Sequence, residues 1–249
     1  MSIIHTIILS IVEGLTEFVP VSSTAHILLA AKALRIPSSA FLETFTVAIQ
    51  SGAILAAVWF FWKTIWKHLS LIPKVIVAFI PTGIAGVFLY PIIKPLFDRP
   101  IVMAIALIAG GAWLLVLKTN DEEAPVVDIS YKQAFLLGLV QIASFIPGVS
   151  RAGATLIGGS LMGIPRNVIV PFSFILAIPT ILGASVVELR HAPALSGSEW
   201  GLLALGVAIS FIVASITLKF FINLLTKKPL AYFGRYRIAI GAIALFFLK

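Results

Sequence analysis

The 249-residue sequence contains no cysteine. That excludes disulfides, thiol nucleophiles and cysteine-ligated metals, and it leaves no mark of redox compartment. Charge is nearly as scarce. Asp, Glu, Lys and Arg make up 11% of the chain, where a soluble domain carries about 25%. Apolar residues fill the space: 60% are hydrophobic and the mean hydropathy is +1.10. Strand-like alternation of the membrane-barrel kind is also missing, so helices must satisfy the backbone within lipid. The N-terminus lacks a basic region and a small-residue cleavage site, so Met1–Val12 is not expected to be a removed signal. The net charge of +8 does not point to nucleic acid, because the basic residues flank the apolar spans and serve to orient them.

What is present reads as an all-α integral membrane protein. Uncharged runs cover Thr44–Trp62, Val75–Ile93, Ile101–Leu117, Asn167–Val187 and Trp200–Leu218. Each is roughly the ~17–25 residues that cross a ~30 Å hydrocarbon core. Two regions break this pattern. Met1–Val12 is short and is followed by Glu13, Glu17 and Pro20; Gln133–Ser150 is interrupted by Pro147, Gly148 and Arg151. Both are expected to be re-entrant helix pairs, whose irregular backbone survives at depth only against protein or a wet cavity.

The chain also reads twice. Phe18-Val19-Pro20-Val21-Ser22-Ser23, then Ile36-Pro37, then a span, is answered by Phe145-Ile146-Pro147-Gly148-Val149-Ser150, then Ile164-Pro165, then a span. We expect two repeats, 1–118 and 132–249, each a re-entrant pair followed by three spans, joined by a linker at 119–131. Three spans per repeat total about six and reverse the second repeat, giving an inverted topology. Lys63, Lys67, Lys74, Lys118, Lys132, Lys227, Lys228, Arg235 and Arg237 are assigned to loops on one face, read as cytoplasmic. Inverted repeats with broken helices place a site near the midplane, with half-helix N-termini facing an anion.

The residues at the breaks suit such a site. Glu13 and Glu17 are four apart on one helical face, where two bare carboxylates repel and each costs at least ~2.5 kcal/mol within lipid. A divalent cation, a shared proton or an arginine must offset this. Ser22, Ser23 and Thr24 follow Pro20 as a helix N-terminus does, and His26 shares a face with Ser23, within reach as an acid or base. In the second break Gly148 permits a tight turn and Ser150 can cap a new helix. Arg151 in its first turn opposes the helix dipole unless an anion is there. With an anion, amides and guanidinium form a phosphate cradle, and Thr155 presents a hydroxyl one turn on.

With these motifs the chain closely resembles, along essentially its whole length, the bacterial undecaprenyl-pyrophosphate phosphatases of the bacitracin-resistance type. Glu13, Glu17, Pro20, Ser22, Ser23 and His26 match an E-x-x-x-E segment leading into P-x-S-S-x-x-H. Pro147, Gly148, Ser150, Arg151, Gly153 and Thr155 match P-G-x-S-R-S-G-x-T, and Ala152 departs where serine is usual. The resemblance implies hydrolysis of undecaprenyl diphosphate to the monophosphate, with a divalent metal, on the outer side of the bacterial plasma membrane. This is lipid-carrier recycling for cell-wall synthesis, linked to bacitracin resistance. Ser23, His26 and Glu17 are then the catalytic candidates, with either Ser23 activated by His26, or a water activated by His26 or Glu17, as nucleophile. Arg151, Ser22, Ser150, Thr155 and Gly148 would bind the diphosphate, and Glu13 with Glu17 would hold Mg²⁺ or Ca²⁺. The expected partners are the polyprenyl diphosphate and membrane lipid, with self-association as a homodimer left open. The alternative is a polyprenyl-phosphate transporter or flippase using the same inverted-repeat site.

Overall fold

A computed structural model describes residues 1–97, 99–192 and 194–247. Among these residues ten α-helices follow one another: α1 (Ile3–Thr16), α2 (Ser23–Ala33), α3 (Ala40–Lys67), α4 (Leu71–Ile93), α5 (Pro100–Val116), α6 (Tyr131–Gln141), α7 (Arg151–Leu161), α8 (Arg166–His191), α9 (Gly197–Lys227) and α10 (Ala231–Phe247). No strand occurs among the described residues. Four helices, α3, α4, α8 and α9, are long and apolar enough to cross a membrane. Helices α5 and α10, 17 residues each, lie at the lower limit of about 17 for a span. Helices α1, α2, α6 and α7 have 14, 11, 11 and 11 residues and are too short.

The outer surface is apolar. Trp59 is 77% exposed, Phe88 75% and Ile216 74%, a covering that only a lipid solvent tolerates over so large an area. The chain is a helical membrane protein. Helices α3 and α8 are more than half buried, whereas α4 and α9 mostly face outward. α3 packs on α8, α9 and α1; α8 packs on α4 and α7; α1 lies along α9, α6 along α4, and α5 pairs with α10. In this last pair a Cβ on Gly111 would meet the Gly234 carbonyl at 2.7 Å, and a Cβ on Gly234 the Gly111 carbonyl at 2.7 Å. Small residues thus bring the two backbones together.

Polar contacts close the two ends of the bundle. At one end Lys94 meets Glu43 at 3.3 Å, and the Tyr90 hydroxyl donates to Glu188 at 3.0 Å. At the other, Arg166 donates to the Leu225 and Lys228 carbonyls and to Asp121, while Lys74 donates to the Val127 carbonyl. The acidic connection after α5 is therefore fastened to the bundle.

One sequence assignment is corrected. Arg235 and Arg237 were read as loop charges beside Lys227 and Lys228; both lie within α10, and Arg237 is fully buried. At Gly163 no atom lies within 4 Å of a would-be Cβ, and a φ of +69° marks the turn that ends α7.

Candidate active site

Each break is built the same way. Helix α1 ends at Thr16 with Glu17 as its C-cap, the chain turns through residues 18–21, and Ser22, at φ 69°, caps α2 by accepting a hydrogen bond from Ala25 N. After α6 the chain passes Gly148, at φ 97°, and Ser150, at φ 71°, caps α7 by accepting from Gly153 N. Positive φ in a serine costs on the order of 1–3 kcal/mol, and the two serines in this state are the two caps. Gly148 has a further reason for lacking a side chain, since a Cβ there would collide with the Met103 carbonyl.

A chain of polar contacts joins the breaks. The Ser23 hydroxyl donates to Glu17 Oε2 at 2.7 Å, and Arg151 Nη2 donates to Glu17 Oε1 at 3.0 Å. Arg151 Nη1 donates to the Ser173 carbonyl at 2.8 Å and lies 3.3 Å from the Ser173 hydroxyl. That hydroxyl is 2.6 Å from Thr155 Oγ1. The Arg151 and Glu17 side chains are 9% and 5% exposed, so the ion pair is almost out of solvent. A pair so placed roughly balances its desolvation while intact, and losing one partner strands a buried charge.

Glu13 lies beside this chain without joining it. It is fully buried, and neither carboxylate oxygen accepts a hydrogen bond. Its polar neighbours are Glu17 and Ser23, with the Arg151 charge beyond them. An unpartnered buried carboxylate is costly and fits a hard cation, which takes oxygen ligands. Among the described residues no group of three His, Cys, Asp or Glu side chains could hold a metal alone. Glu13 and Glu17 form a partial shell that suits a cation shared with a phosphorylated ligand.

The remaining sequence candidates fall into two groups. Glu17, Ser23 and Arg151 come together. Ser22 and Ser150 act as caps, and Thr155, fully buried, stands behind Arg151 and supports Ser173. His26 does not bond Ser23: its Nδ1 lies 2.8 Å from the Ser22 carbonyl and its Nε2 2.8 Å from the Tyr236 hydroxyl.

Sequence reasoning missed Ser173, Tyr236 and Arg237. All five guanidinium hydrogens of Arg237 have backbone acceptors: Leu107 for Nε, Pro20 and Val149 for Nη1, Ala106 and Gly148 for Nη2. That is the full donor capacity of an arginine, and it ties the carbonyls of both breaks to α5 and α10. Space is made for it, since a Cβ on Gly110 would collide with Nη2 and one on Gly153 would sit 2.8 Å from Nη1.

These features define a helical membrane protein with a buried site of carboxylate, hydroxyl and guanidinium where two helix breaks meet. A profile of the family described as "Bacitracin resistance protein BacA" matches residues 6–243; the chain belongs to this family. It is 41% identical to a protein of Aquifex aeolicus, covering 98% of both chains, and 41% identical to one of Persephonella marina over the whole of each. Identity to a Wolinella succinogenes protein is 42%, covering 100% of this chain and 99% of that one. All three relatives are named "Undecaprenyl-diphosphatase".

Proposed function

We propose that this protein hydrolyses undecaprenyl diphosphate to undecaprenyl phosphate within the bacterial plasma membrane, in the step that recycles the lipid carrier of cell-wall synthesis. Besides family membership, one observation carries the reading: the buried contact from Ser23 through Glu17 to Arg151. A carrier needs the guanidinium but has no use for a hydroxyl set on a carboxylate, so the flippase alternative is not favoured.

In this mechanism Ser23 Oγ attacks the terminal phosphorus as its proton passes to Glu17 Oε2. The bond to the bridging oxygen breaks and undecaprenyl phosphate leaves. Arg151, through its planar fork, and the amides at the starts of α2 and α7 neutralise the transferred phosphoryl group. Ser22, Ser150 and Gly148 shape those helix starts, and Thr155 steadies Arg151 through Ser173. His26, one turn beyond Ser23, handles the proton of the water that hydrolyses the phosphoserine. Glu13 and Glu17 would hold Mg²⁺ or Ca²⁺, which supplies charge neutralisation at the diphosphate. Purified protein should release phosphate from undecaprenyl and farnesyl diphosphate, stop in EDTA, and recover with Mg²⁺ or Ca²⁺. Absence of release from the undecaprenyl substrate would sink the enzyme reading. Full turnover in chelator would remove the metal and leave the carboxylates sharing a proton.

The architecture proposed with this function is two inverted repeats, 1–118 and 132–249, with a linker at 119–131, about six crossings and two re-entrant pairs. Support comes from backbone features that recur at one offset. Ser2 and Ser130 both form capping boxes, Ser22 and Ser150 are both left-handed caps, and Arg35 and Gly163 both turn at positive φ. Ile36 N donates to the Ala31 carbonyl as Ile164 N donates to that of Gly159, each at 2.9 Å. The excess of basic residues beside Lys67, Lys74, Lys132 and Lys227 supports a cytoplasmic assignment for that face, with the site opening to the other side. Single cysteines near Ser196 should react with an impermeant thiol reagent in intact cells, and those near Lys227 should not; the opposite pattern reverses the orientation.

A further inference from the structure

Helix α10 brings a second residue to the site beside Arg237. The Tyr236 hydroxyl lies 2.8 Å from His26 Nε2, across 210 residues of sequence. The two rings are stacked, with centroids 5.5 Å apart and planes inclined by 8°. The other nitrogen, Nδ1, faces the Ser22 carbonyl at 2.8 Å. A carbonyl only accepts, so Nδ1 carries the hydrogen. In the neutral ring Nε2 is then a bare lone pair, and the phenol must donate to it. When Nε2 gains a proton it becomes a donor, and the same phenol oxygen can accept. The nitrogen of His26 that exchanges protons is therefore addressed to Tyr236, not to Ser23, whose hydroxyl is turned to Glu17.

We propose that Tyr236 is the positioning residue of His26: its hydroxyl fixes the direction of Nε2, the nitrogen that the Ser22 carbonyl leaves free to exchange a proton. Tyr236 is 44% exposed, whereas the Ser23–Glu17–Arg151 chain is shut in. The proposal rests on the reading of His26 as the acid–base group of the second step. Other groups facing His26 do not replace the phenol. Arg237, the charged neighbour from α10, spends all its hydrogens on carbonyls. Helix α1 offers Glu17, held by Ser23 and Arg151, and Glu13. Helix α5 brings the apolar Met103 and Leu107 against this stretch of α2. A proton taken by Nε2 thus has the phenol oxygen as its outward contact.

The test is a double-mutant cycle read against pH. Tyr236→Phe keeps the stacked ring and removes one oxygen. We expect kcat to fall about tenfold, the scale of one hydrogen bond, with KM within about twofold and the acidic limb of the kcat profile displaced. In a His26→Gln background, already strongly impaired, Tyr236→Phe should cost nothing further, because a residue that acts through another is silent once that other is gone. An equal loss in both backgrounds would make Tyr236 a packing residue and overturn the proposal. So would parental kcat and an unmoved limb in Tyr236→Phe beside an impaired His26→Gln, an outcome that leaves the role of His26 standing. Parental activity in His26→Gln would sink both. Should Tyr236→Phe fail to fold, 3-fluorotyrosine at 236 keeps the shape with a more acidic hydroxyl. It should displace the same limb, and an unmoved limb overturns the proposal.

Discussion

The two helix breaks share a backbone and divide the chemistry. Both turn through a left-handed serine that caps the following helix, and both following helices have 11 residues. At matching places, however, the side chains differ in kind. Ser23 opens α2 where Arg151 opens α7, and His26 stands where the second break has Ala154. Glu17 is matched by Phe145, and Glu13 by Gln141, whose amide donates to Thr82 and Thr180 at 3.1 Å each. One break holds the carboxylates, the hydroxyl and the imidazole; the other holds the guanidinium. Neither could process a diphosphate alone. The comparison teaches that two breaks of like backbone need not carry like side chains: opposite charges stand on opposite breaks, so the site exists only where the breaks meet.

This division can be tested from either side. Glu17→Gln should have the largest effect, removing the proton acceptor of Ser23 and the partner of Arg151 together. A loss in kcat of about a thousandfold is expected, within the range of general-base removal. Arg151→Lys keeps the charge of the second break but not the fork, and should cost about a hundredfold, the scale of one oxyanion donor. Near-parental phosphate release from either variant would break the assigned division of labour. The smallest effect is expected at the shared element. Ser22→Ala and Ser150→Ala each remove a cap worth about 1 kcal/mol, and each should lower the thermal midpoint in detergent by similar amounts with less than a tenfold change in kcat. Glycine at either position should be milder than alanine, since it accepts the positive φ. Unequal losses at the two serines would show that the scaffolds are less alike than their backbones.

Much of this was legible in the sequence because membrane insertion penalises irregularity. Pro20, Pro147 and Gly148 had to interrupt helices, and Glu13, Glu17 and Arg151 had no cheap reason to lie far from the flanking loops. The pairing of Glu17 with Arg151 was among the offsets that two close carboxylates demand. The partners of His26 and Ser23 were not legible. Spacing put imidazole and hydroxyl on one face of α2, yet Ser23 turns back to α1 and His26 reaches to α10, contacts that only tertiary packing decides. Ser173 is a lone serine in an apolar run and gives no periodic signal. Arg237 was obscured by its neighbours, because Lys227, Lys228 and Arg235 make the segment look like one basic loop. The available clue was the apolar run from Ile238 onward, which sets Arg237 inside a helix, with Gly110 and Gly111 in the span that had to make room for it.

The clasp around Arg237 also bears on the order of synthesis. Its acceptors lie at residues 20, 106, 107, 148 and 149, yet the side chain that satisfies them arrives on the last helix. Until that helix enters the membrane, the Pro20, Val149 and Gly148 carbonyls at the breaks lack this donor in a solvent that offers none. Ribosomes therefore deliver the hydrolytic groups long before the piece that secures them. A nascent chain carrying Ser23, Glu17 and Arg151 is not yet an enzyme, and a chain truncated before Ala231 should never become one.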